Sequence, residues 1–90
     1  MVDKSRPYQD VYKCEGSFVR VFDSEFDSEE LVWHRDELDR DITVIEGTGW
    51  QIQFDDELPV DINTIKSIPK MVYHRVLKGE GRLVMEIREQ

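Results

Sequence analysis

Short segments in which apolar and polar residues alternate constrain the fold of this chain more than any other feature. Trp50-Gln51-Ile52-Gln53-Phe54 alternates without a break, and in an extended strand such a segment places its apolar side chains on one face. Other segments with the composition of strands occupy 17–22, 31–36, 40–46, 61–68, 72–77 and 82–88, of which 61–68 is the weakest. Short strands about ten residues apart, with turn residues between them, predict an all-β sandwich or barrel.

The length of the chain predicts one small domain over residues 1–90, with residues 1–10 loosely attached. A domain of this size buries only about 60–65% of the surface that its unfolded chain exposes. Closing a barrel, binding a metal or forming a dimer would each add stability. We therefore expect at least one of these three devices.

The charge of the chain limits its partners. Its net charge is −8, from 20 acidic and 12 basic residues. Because phosphate contacts need clustered lysine and arginine, we expect no nucleic acid and no anionic membrane as partners. Cys14 is the only cysteine, so no internal disulfide forms, which fits a reducing, cytoplasmic location. We expect Cys14 to be a buried structural thiol, and we find no signal peptide and no membrane-spanning run.

The two histidines of the chain are its strongest candidates for chemistry. His34 shares a strand face with Val32 and Asp36, and His74 shares a face with Val72 and Val76. Valines beside both histidines indicate that these faces line the barrel interior. Two imidazoles and one carboxylate that converge there would suit a divalent transition metal with open coordination positions.

The opposite faces of the same strands carry large apolar side chains. Trp33, Tyr73 and Leu77 are expected to point outward. Apolar groups on an outer face favour a second sheet or a partner subunit, so we predict a homodimer.

The spacing of these residues resembles the two motifs of the cupin superfamily, over roughly residues 17–88. The first motif, G-x5-H-x-H-x3/4-E-x6-G, is matched by His34 and Gly47, with Asp36 in place of the second histidine and Arg40 in place of the glutamate. The second motif, G-x5-P-x-G-x2-H-x3-N, is matched by Pro69 and His74, and its other positions are Asn63, Met71 and Lys78. The resemblance implies a small double-stranded β-helix, the cupin jelly-roll barrel.

The departures from the first motif leave two functions open. If His34, Asp36 and His74 bind a metal (Fe, Mn, Ni or Zn), the chain holds a 2-His-1-carboxylate set. In that case Arg40 and Trp50 are candidate contacts for a small, anionic substrate, and a metal-dependent oxygenase or isomerase is the expected class if the protein is an enzyme. If no metal binds, Asp36 and Arg40 form an internal ion pair in a metal-free binding or structural homodimer, because an unpaired buried carboxylate is costly.

Overall fold

The computed structural model describes residues 8–23 and 33–90, and these residues form two antiparallel sheets. The strands are Tyr8–Cys14 (β1), Ser17–Phe22 (β2), Arg40–Thr48 (β3), Gln51–Phe54 (β4), Val60–Asp61 (β5), Ser67–Ile68 (β6), His74–Leu77 (β7) and Glu80–Glu89 (β8). The first sheet has the order β1-β2-β8-β3-β6, and the second has the order β5-β4-β7. The predicted all-β class is confirmed. Among the described residues, no helix is long and apolar enough to cross a membrane.

One apolar core draws on both sheets, as the alternation predicts. Trp50 and Ile52 are buried while Gln51 between them is exposed, and Leu83, Met85 and Ile87 are buried on one face of β8. Burial of each large aliphatic side chain contributes roughly 1.5–3 kcal/mol. The complete buried set is Phe22, Ile42, Trp50, Ile52, Ile62, Ile68, Val76, Leu83, Met85 and Ile87.

The N-terminal part of the described chain departs from the expectation. β1 pairs with β2 from Tyr8 opposite Phe22 onwards, so the loose attachment predicted for residues 1–10 does not extend to residues 8–10; residues 1–7 lie outside the described residues. β1 is an edge strand, and all its residues after Tyr8 are exposed, which explains why it lacks a clear apolar alternation. Cys14 is exposed, so the expected buried thiol is wrong.

The weak segment 61–68 is not one strand. A 3-10 helix over Ile62–Thr64 separates β5 from β6, and the side chain of Asp61 caps this helix by accepting a hydrogen bond from the Asn63 backbone N–H at 2.9 Å. Ile62 is fully buried. A short helical turn with Ile62 buried in the core thus takes the place of the middle of the predicted strand.

Candidate metal centre

His34 and His74 lie directly opposite each other in an antiparallel bridge. The His34 N–H donates to the His74 carbonyl at 3.0 Å, and the His74 N–H donates to the His34 carbonyl at 2.8 Å. Side chains of such a pair project on the same side of the sheet. The two imidazole rings accordingly meet edge to face, with their centroids 4.4 Å apart. The sequence predicts a strand over 31–36. Within residues 33–36 the structure has only this bridge at His34, and residues 31 and 32 lie outside the described residues.

Asp36 joins the two histidines because it lies two residues beyond His34, on the same face of an extended segment. A second backbone contact fixes this segment, since the Met71 N–H donates to the Asp36 carbonyl at 2.7 Å. One ligand atom from each of His34, Asp36 and His74 lies within 4.8 Å of the other two. Ligands of one transition metal ion are about 3–4 Å apart for bonds of about 2.1 Å, so a small inward movement brings all three to an ion.

The hydrogen bonds of His74 determine which of its nitrogen atoms faces the group. His74 is 2% exposed, and its Nδ1 lies 2.9 Å from the Val72 carbonyl. A carbonyl only accepts, so Nδ1 carries the proton and donates. Burial, followed by the nearby His34, holds the pKa of His74 below its usual value of 6.5 despite the opposing effects of Val72 and Asp36. The ring is therefore neutral at pH 7, and Nε2 presents a lone pair.

The Nε2 lone pair of His74 faces a carboxylate oxygen, so neither atom can donate a hydrogen bond to the other. His74 Nε2 lies 3.4 Å from Asp36 Oδ2, so two acceptors face each other. Asp36 Oδ2 is buried and has no hydrogen-bond partner among the described residues. A buried carboxylate oxygen without a donor costs roughly several kcal/mol of free energy. A cation that approaches the oxygen lowers this cost. A divalent cation between Oδ2 and Nε2 would satisfy both atoms.

Arg40 contacts the other oxygen of Asp36 and also pairs with a second carboxylate, Glu89. Arg40 Nη1 lies 3.3 Å from Asp36 Oδ1, while Nε and Nη2 lie 3.1 Å and 3.0 Å from Glu89 Oε2. Arg40 and Glu89 face each other across β3 and β8. Asp36, Arg40 and Glu89 together carry one positive and two negative charges, so these three side chains have a net charge of −1.

Comparison with known proteins gives the fold of the chain. No protein-family model and no curated protein matches it. Two crystal structures superpose on 92% of it with a TM-score of 0.60: a protein from Neisseria meningitidis, 18% identical and covered over 82% of its length, and a cupin-2 domain containing protein from Shewanella frigidimarina, 25% identical and covered over 79%. The described residues have a cupin-like fold. The predicted fold is confirmed.

The cupin-like barrel separates the two candidate substrate contacts. Arg40 lies in the cluster, against Asp36. Trp50 lies in the core against Phe22, with the two ring centroids 5.7 Å apart. It precedes Phe54 by four residues, and Phe54 is the strand partner of His74. Four strand residues span about 13 Å. The role of Trp50 as a substrate contact stays a prediction, as does that of Arg40.

Sequence reasoning did not find Glu89. Its place opposite Arg40 follows from the register of β3 against β8, two strands more than thirty residues apart in the sequence. Glu89 lies near the end of the chain in a charged segment, Glu86-Ile87-Arg88-Glu89. Only its position on the same face of β8 as Leu83, Met85 and Ile87 indicates that it points toward the barrel interior.

Proposed function

We propose that this cupin-like protein binds one divalent transition metal through His34, Asp36 and His74 and uses it to bind or act on a small molecule. The observation that carries the proposal is the buried Asp36 Oδ2, which lacks a donor and faces the Nε2 lone pair of His74. The donor set of two imidazoles and one carboxylate suits Fe, Mn, Ni or Zn. The resemblance of the fold to a cupin-2 domain protein is consistent with it.

The protein groups around the site favour a metal with exchangeable positions. Three protein ligands leave coordination sites for water or a small ligand, and a metal bound this way would polarise that ligand as a Lewis acid. The Val72 carbonyl fixes the His74 ring by accepting from Nδ1, the usual arrangement behind a metal-bound histidine. Arg40 adds a positive charge beside the site, which supports an anionic ligand.

The alternative is a metal-free binding or structural module in which Arg40 neutralises Asp36. The 3.3 Å contact between Arg40 and Asp36 favours it. Against it, Glu89 takes two N–H groups of the same guanidinium at shorter distances, 3.0 and 3.1 Å. One arginine thus pairs with two carboxylates, so its positive charge neutralises the negative charge of Asp36 only in part.

Metal analysis of protein without a histidine tag tests the proposal. The protein is stripped with a chelator, incubated separately with Fe²⁺, Mn²⁺, Ni²⁺ or Zn²⁺, dialysed and analysed by mass spectrometry of the metal. We expect about one equivalent of at least one metal, consistent with a single three-ligand site. Less than about one tenth of an equivalent of every metal would favour the metal-free module.

Two variants assign the bound metal to this site. Asp36→Asn should lower the affinity at least about a hundredfold, because a ligand change costs more than the 10- to 100-fold of an outer contact. Asp41→Asn changes an exposed carboxylate on β3 and should bind metal as the unaltered protein does. Equal loss in both variants would place the metal elsewhere.

A further inference from the structure

The two carboxylates that contact Arg40, Asp36 and Glu89, differ in burial and in their distance from the histidines. Asp36 is 11% exposed at its side chain and lies among the histidines, while Glu89 is 29% exposed and lies on the far side of the guanidinium. Glu89 is outside the group of atoms that lie within 4.8 Å of one another. It therefore contacts Arg40 without reaching the candidate ligands.

The guanidinium has a fixed fork geometry, which ties these contacts together. Glu89 Oε2 accepts from both Nε and Nη2, on one edge of the fork, and this leaves Nη1 to face Asp36 Oδ1. The ring of Phe18 lies beside the guanidinium, 5.8 Å from its central carbon. A planar group held on one edge and bounded by a ring keeps Nη1 in one place.

From this geometry we propose that Glu89 is a positioning residue for the metal site, acting through Arg40 on Asp36. Because Arg40 lies against Oδ1, Oδ2 is the Asp36 oxygen that would remain for a metal. Glu89 keeps the guanidinium on Oδ1 and prevents it from pairing with both oxygens of Asp36, an arrangement that would compete with the metal. The inference rests on the proposed metal site and adds to it a residue that is not a ligand.

The direction of the effect follows from charge and geometry together. Glu89→Gln removes one of the two negative charges of the cluster and releases Arg40 toward Asp36. Both changes weaken cation binding. We expect a loss of affinity of about 10- to 100-fold, the range for contacts behind a metal ligand.

A double-mutant cycle tests whether Glu89 acts through Arg40. Chelator-competition titrations with Co²⁺ give the affinities of the unaltered protein, Glu89→Gln, Arg40→Gln and the double variant. In the Arg40→Gln background, Glu89→Gln should change the affinity less than about threefold, because its connection to Asp36 is gone and only the solvent-screened effect of its charge remains. An equal loss in both backgrounds would overturn the proposal.

A spectroscopic readout separates positioning from simple loss of stability. The visible absorption of bound Co²⁺ reports its coordination, and Glu89→Gln should alter the band at full occupancy as the carboxylate changes its mode of binding. The control is Glu46→Gln, which removes a carboxylate that binds Arg82 at 2.8 Å on the exposed surface. It should leave both the affinity and the spectrum unchanged.

The outcomes distinguish this inference from the proposed function. If the unaltered protein binds no metal, the proposed function fails. If it binds metal and Glu89→Gln matches it in affinity and spectrum, only the positioning role fails. Should Glu89→Gln not fold, Glu89→Asp replaces it: the charge stays, the side chain is one methylene too short to hold the edge of the guanidinium, and a drop in affinity with an altered spectrum is again expected. Unchanged values for Glu89→Asp would contradict the proposal.

Discussion

At the scale of single residues, Asp36 is held in a state that suits a ligand better than it suits the metal-free protein. Its Oδ2 faces the His74 Nε2 lone pair at 3.4 Å, without a donor between them. Functional sites commonly retain such unfavourable contacts because a bound ligand relieves them. A substitution that supplies the missing donor should therefore stabilise the metal-free protein.

Asp36→Asn is that substitution. The amide oxygen can still accept from Arg40, and the amide N–H₂ can donate to His74 Nε2. We expect the metal-free variant to gain about 1 kcal/mol in free energy of unfolding, the value of one hydrogen bond, while it loses metal binding. Urea unfolding with a chelator present measures the gain, and Asp41→Asn is the control. A variant less stable than the unaltered protein would contradict the assigned tautomer of His74.

A second prediction at this scale concerns Arg20, which is 8% exposed and donates from Nε and Nη2 to the two carboxylate oxygens of Asp10 at 2.7 and 3.0 Å. Asp10→Ala leaves a largely buried guanidinium without this partner and should cost about 1–3 kcal/mol in free energy of unfolding. Glu46→Ala breaks an exposed pair with Arg82 and should change stability little. Thermal unfolding of the two variants checks the contrast, and equal losses would contradict it.

At the scale of the elements, the sequence predicts those strands whose side chains alternate between core and solvent. The segments 17–22, 50–54 and 82–88 have this pattern and form β2, β4 and β8 with nearly the expected limits. β1 lacks it because an edge strand with seven residues and little burial imposes no alternation. The same reasoning brought His34, Asp36 and His74 to one face, but could not find Glu89, whose position depends on a pairing between distant strands.

Two turns pack against each other without room for a side chain. A Cβ built on Gly79, just before β8, would lie 2.3–2.4 Å from backbone atoms of Thr48, Gly49 and Trp50. Because backbone cannot move aside, Gly79→Ala should cost about 3 kcal/mol in free energy of unfolding. Gly81→Ala meets no atom within 4 Å and is strained only by its φ of +65°, so about 1–2 kcal/mol is expected. Chemical denaturation ranks the two variants, and the reverse order would be inconsistent with this packing.

At the scale of the whole molecule, large aromatic side chains are exposed next to the second sheet among the described residues. Trp33 and Tyr73, predicted to point outward, are 41% and 45% exposed. Arg75 stacks over Trp33 at 4.9 Å and Arg35 over Tyr73 at 5.3 Å. Tryptophan, tyrosine and arginine are the residues that contribute most to the free energy of binding at protein interfaces. We call Trp33, Arg35, Tyr73 and Arg75 the aromatic–arginine face.

We propose that two copies of the chain pair through the aromatic–arginine face, as the sequence predicts for an outward apolar surface on a chain this small. Its arginines place positive charge at the contact between two copies that each carry a net charge of −8, which lowers their mutual repulsion. Light scattering at micromolar concentration should give about twice the 10.7 kDa of one chain. The double variant Trp33→Ser, Tyr73→Ser should give the mass of one chain, because it removes both aromatic groups from the contact.

Leu58→Ser is the control for this pairing, since Leu58 is 83% exposed in the loop between β4 and β5 and its loss should leave the mass unchanged. A monomeric mass for the unaltered protein would exclude the dimer. The metal site provides an independent comparison, because all three candidate ligands come from one chain. Metal uptake should therefore persist in the Trp33→Ser, Tyr73→Ser variant, and a loss of metal together with the loss of the dimer would mean that pairing holds the His34 segment against β7.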